Sequence, residues 1–66
     1  MDKEKMIKDV ERYARMIARA ETEHCTEVFM NQLDGYLQAV KTIYGEETAK
    51  ELKEHHVNKL MKLAGI

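Results

Sequence analysis

The stretch from Val28 to Tyr44, VFMNQLDGYLQAVKTIY, constrains this chain more than any other. It is the least charged part of a sequence in which 35% of the residues are charged. Its apolar residues at 29, 33, 36, 37, 40, 43 and 44 follow the spacing of a helix that buries one broad face. Glu27, Asp34 and Lys41 recur seven apart, on a narrow line opposite that face. A helix this apolar cannot stand alone in water, so the segments before and after it must cover it.

Sixty-six residues make a single domain, 1–66. The chain has no Pro, three Gly and 44% apolar residues, a composition that favours helix with little punctuation. Cys25 is the sole cysteine, so no disulfide can staple the domain from within. Chains this short seldom enclose a sufficient core alone, which leaves metal, oligomerisation or very good helix packing, with oligomerisation the simplest of the three.

The sequence predicts an all-α, three-helix bundle completed by oligomerisation. The first helix is expected over 2–23, with Asp2 as its cap and Glu4 in its first turn. Met6, Val10, Tyr13 and Ile17 set its apolar face. Between Ile17 and Phe29 that face rotates by about 120° at roughly 100° per residue. Either the helix breaks there, with Thr22 or Thr26 as N-cap, or one long helix changes its contact face midway; the break is preferred. The central helix keeps its phase through Gly35 to Tyr44. Gly45 suits a left-handed position that ends it. Glu46 opens the third helix, whose apolar face is Ala49, Leu52, Val57, Leu60, Met61 and Ala64. The short link predicts an antiparallel hairpin of helices two and three.

Charge narrows the function classes. The net charge is −1, without the basic excess of a general nucleic-acid binder. It is unevenly spread: the first segment is basic, residues 20–36 carry Glu21, Glu23, Glu27 and Asp34 with no base, and the rest is nearly neutral. Lys5, Lys8, Arg12, Arg15 and Arg19 fall on one line of the first helix, a candidate surface for a phosphate-bearing ligand (nucleotide or nucleic acid) or for a partner protein. The alternative is a solvated face threaded by Glu4, Asp9 and Glu11.

Glu21 and His24, at the Glu-x-x-His spacing of helical di-iron bundles, are weak metal candidates, because the chain holds no second such motif. No cofactor is expected. His55 and His56 point about 100° apart on a helix and cannot share one ion; His56, at the rim of the apolar face, reads as a packed, hydrogen-bonded histidine. No nucleophile, base and orienting group can be assembled from spacing, and no Gly-rich phosphate loop exists, so an enzyme is not expected. The absence of a membrane-length apolar run and of an export signal, with one free thiol, points to a cytoplasmic protein that does not engage a membrane.

The resulting expectation is a non-enzymatic regulatory or inhibitory protein. It homo-oligomerises, most simply as a dimer, and binds another macromolecule. The central helix has a wider apolar arc than two neighbours can cover, so Phe29, Leu33, Tyr36, Leu37 and Val40 are expected at or beside the contact between copies.

Overall fold

The structure, a computed structural model, describes residues 3–65. Three helices pack side by side: α1 (Lys3–Ala18), α2 (Glu23–Tyr44) and α3 (Glu46–Ala64). No strand occurs among the described residues. The expected cap Asp2 lies outside them.

The first helix stops earlier than the sequence suggests, at Ala18 rather than 23. The break falls where the apolar face rotates, and its chemistry is local. Thr22 adopts an extended conformation (φ −131°, ψ 156°), and its hydroxyl oxygen accepts the Cys25 N–H at 3.1 Å. A threonine in that role satisfies an N–H that the new helix would otherwise leave unpaired. Thr22 thus starts α2, and Thr26, the other candidate, donates its hydroxyl to the Thr22 carbonyl from the first turn.

A single residue, Gly45, links α2 to α3. Its N–H closes the last turn of α2 on the Lys41 carbonyl, while its own carbonyl accepts from Ala49 N–H at 3.3 Å. The backbone there has φ +102° and ψ 165°, an extended positive-φ geometry rather than the left-handed one expected, and one essentially restricted to glycine. Gly35 is an exposed residue inside α2 with open space where a Cβ would lie, a tolerated surface glycine.

The three helices run up, down and up. Lys3 pairs with Glu51 at 2.7 Å, and further along the Val10 carbonyl meets His56, so α1 and α3 are parallel. Asp9 meets Tyr36, while the end of α1 lies near Cys25 and Phe29, so α2 opposes both. Met6, Val10, Leu33, Val40 and Leu52 form the core, with Ile7, Tyr13, Tyr36, Leu37 and Ala49 packed against it.

This corrects the expected weighting of the helices. The most extensive packing joins α1 to α3, and α2 rests against that pair. Although α2 is the most apolar helix, it buries only Leu33 and Val40 among its 22 residues. The third helix turns only part of its expected apolar face inward: Leu52 is buried and Ala49 and Leu60 are half-buried, with His56 buried beside them, while Val57, Met61 and Ala64 are exposed. No helix among the described residues is long and apolar enough to cross a membrane.

Candidate functional site

Two kinds of surface could carry function, one charged and one apolar. The charged surface belongs to α1. Met6, Val10 and Ala14 point inward, which turns Lys5, Lys8, Arg12, Arg15 and Arg19 directly outward, and all five are exposed. They fall within an arc of about 80°, taking 100° per residue, with Arg19 in the turn just past the end of α1. The Arg12 guanidinium also lies 5.9 Å from the centre of the Tyr13 ring, a cation–π distance. The line is therefore a continuous basic ridge on the side of α1 away from both neighbours.

Behind it, α1 is tied to α2 by a polar contact that the sequence did not announce. The Tyr36 hydroxyl donates to Asp9 Oδ2 at 3.0 Å, and the Tyr13 and Tyr36 rings lie 6.0 Å apart, tilted by 56°. Burial, then the hydrogen bond to Asp9 and its charge, push the Tyr36 hydroxyl up to about 12, because each disfavours the phenolate. The polar neighbour of this hydroxyl thus belongs to the same chain.

The Val10 carbonyl plays the same part between α1 and α3. It accepts a hydrogen bond at 3.1 Å from Nδ1 of His56, which is 4% exposed. A carbonyl can only accept, so the ring proton sits on Nδ1. His56 is a packed structural histidine, as its position at the rim of the apolar face suggests.

The weak metal candidates are not brought together. Glu21 lies in the loop after α1 and His24 in the first turn of α2, both exposed, so they do not share the continued face of the first helix as their spacing implied. The helix they needed has already ended. Among the described residues no three of His, Cys, Asp and Glu converge as a metal site requires. Cys25, half-buried, borders a shallow groove with Met16, Arg19 and Phe29 at the corner between α1 and α2.

The apolar surface belongs to the hairpin. Of the residues expected at a contact between copies, Leu33 and Val40 are each only 4% exposed and lie in the chain's own core. Phe29, Tyr36 and Leu37 are half-buried. Among the described residues, the large hydrophobic side chains left exposed are instead Val28, Met30, Ile43, Tyr44, Val57, Met61 and Leu63, and every one of them is on α2 or α3. The edges of the apolar arc, Met30 on one side and Ile43 on the other, face solvent, while its centre is closed. Periodicity locates the arc; it does not say how much of it two neighbours will cover. Comparison with protein-family models, with curated proteins and with solved structures found no match.

Proposed function

We propose that the protein is a non-enzymatic helical regulator or inhibitor that acts by association. It pairs with a second copy of itself and binds another macromolecule through the apolar surface of the α2–α3 hairpin. The observation that carries this reading is the concentration, on those two helices, of the seven exposed large hydrophobic residues found among the described ones. The surface area agrees. The chain exposes 4889 Å², where a compact monomer of its mass would expose about 4,300 Å². Excess surface of apolar character is what an interface removes from water.

Self-association is assigned to the edge of α2 beside its packing with α1, centred on the exposed Ile43 near the C-terminal end of the helix. Phe29, Tyr36 and Ile43 recur at seven-residue steps along it, and Ile43 is 70% exposed. This keeps two of the interface residues expected from sequence and releases Leu33 and Val40 to the core. Sedimentation equilibrium at low micromolar concentration is the test. The expected result is a dimer that Ile43→Glu weakens by at least about tenfold, because a carboxylate is costly to desolvate in an apolar contact. A single monomeric species that still unfolds cooperatively on heating would remove self-association.

A second reading has its own support. The basic ridge of α1 is fully outward, which suits a phosphate-bearing ligand, nucleotide or nucleic acid. Arg12→Glu combined with Arg15→Glu is expected to abolish any salt-sensitive binding of ATP or a single-stranded oligonucleotide. Stability should change by no more than about 0.5 kcal/mol, since both side chains are exposed. Equal affinity before and after the double substitution would discard this reading.

A further inference from the structure

One face of the hairpin is bordered by α2 and α3 alone. Asp34, Leu37 and Lys41 of α2 and Ala49, Lys50 and Lys53 of α3 surround a shallow depression there, to which α1 contributes no residue. Seven residues along an α-helix make two turns with a drift of only about 20°. Glu27 and Met30 therefore continue the α2 side of this face, and Val57 continues the α3 side, with Met61 one turn beyond it. Met30 is 46% exposed, Val57 41% and Met61 42%. Glu27, Asp34, Lys50 and Lys53 are exposed too, and among the described residues none of the four enters an ion pair.

We propose that this face pairs with the same face of a second copy, about a two-fold axis that runs along the helices. The inference rests on the association reading above and deepens it by naming the partner of the hairpin surface. It is distinct from the contact centred on Ile43, which lies about 140° around α2 from Met30. The two sides of the face complement each other. α2 offers acid beside apolar, in Glu27, Met30 and Asp34; α3 offers base beside apolar, in Lys50, Lys53, Val57 and Met61. A two-fold contact needs a patch that is complementary to itself in this way. The register follows from the link. Gly45 alone joins the helices, so residues equally far from it lie level: Met30 with Leu60, Asp34 with His56, Leu37 with Lys53. An axis along the helices lays α2 of each copy on α3 of the other and keeps those levels. Met30 then sits between Val57 and Met61 of the other copy, and Asp34 lies one turn from Lys53, within reach of a lysine side chain. Lys41 falls between Glu46 and Lys50, one charge of each sign. Symmetry makes every contact twice. An axis across the helices, centred on the apolar residues, would lay α2 on α2 and bring Glu27 beside Asp34 of the other copy, acid on acid. Apolar burial thus drives the pairing, and charge selects its orientation.

The test is sedimentation equilibrium of the full chain carrying Ile43→Glu, from micromolar to millimolar concentration. That background removes the other contact. The chain is expected to form a dimer that weakens as salt rises. Asp34→Lys or Lys53→Asp, each added singly, should weaken the dimer by at least about tenfold, because each sets like charges against one another twice. An equimolar mixture of those two variants should recover most of the loss, since every pair across the contact is then of opposite sign. Met30→Ser with Val57→Ser should weaken the dimer by at least about tenfold. All four positions are exposed, so circular dichroism should be unchanged throughout. A mixture no stronger than either charge variant alone, or undiminished pairing in the Met30–Val57 variant, would overturn the proposal. So would an Ile43→Glu chain that stays monomeric at every concentration while the unsubstituted chain dimerises; the hairpin face would then belong to a different protein, and the Ile43 contact would stand. A dimer indifferent to Ile43→Glu that obeys the charge exchange supports this face and discards the Ile43 contact alone.

Discussion

The first helix and the hairpin that follows it solve the same problem differently. α1 sorts its residues cleanly: Met6, Val10 and Ala14 are buried, its five-cation ridge is exposed, and no large hydrophobic side chain of it is left in water among the described residues. The hairpin buries Leu33, Val40, Leu52 and His56 and leaves seven large hydrophobic residues outside. The difference is one of geometry. α1 is the more highly charged helix, and its neighbours cover its apolar stripe of Met6, Val10 and Ala14. α2 carries a wide arc, and in a bundle whose shortest extent is 16 Å each helix keeps one side to solvent. The apolar pattern of α1 is thus used up in folding, whereas that of the hairpin exceeds what folding needs.

The comparison is sharpest on α3, where adjacent turns hold residues of both kinds. Leu52 is fully buried and Val57 is 41% exposed. Leu52→Ala is expected to destabilise the fold by about 2–5 kcal/mol, the range for a buried leucine that leaves a cavity. Val57→Ala should change stability by no more than about 0.5 kcal/mol. Urea unfolding followed by circular dichroism measures both. Similar losses in the two variants would mean that Val57 belongs to the core and that the hairpin has no surplus.

A smaller effect is expected at the contact between α1 and α3. His56→Ala removes a buried ring and its hydrogen bond to the Val10 carbonyl, and should cost about 2 kcal/mol in the same measurement. A loss near zero would show that the imidazole merely fills space at the rim.

The smallest effect is expected between α1 and α2. Tyr36→Phe removes the hydroxyl that donates to Asp9 and should cost about 1 kcal/mol near neutral pH. The sign of its pH dependence follows from a hydroxyl raised from 10.0 to about 12 in the folded chain. The folded state favours the neutral phenol, so the contribution is fully present below pH 10 and is lost as pH rises toward 12. Alkaline difference absorbance should resolve a late-titrating tyrosine that disappears in Tyr36→Phe. If the late component survives the substitution, the contact with Asp9 does not set it.

What could be read in the sequence was mostly local. Helical periodicity names the class without reference to anything distant, because it records one face of one segment. The break before α2 was visible as a rotation of the apolar face, and Thr22 ends the ambiguity through a bond three residues long. Gly45 stops α2 for the same kind of reason, since its backbone geometry excludes other residues. The five cations were legible as a surface because they lie directly opposite Met6, Val10 and Ala14, so burying that stripe turns them outward.

The tertiary structure decided how a wide arc is divided. Phe29, Leu33, Tyr36, Leu37, Val40 and Ile43 share one pattern in the sequence, yet Leu33 and Val40 are closed, Phe29, Tyr36 and Leu37 are half-closed, and Ile43 is open. That division depends on where α1 and α3 cross α2, and the crossing depends on contacts such as Asp9 with Tyr36 and Val10 with His56, which join residues 27 and 46 positions apart. Burial is a property of the neighbours a residue acquires, and a periodicity within one helix contains no information about them.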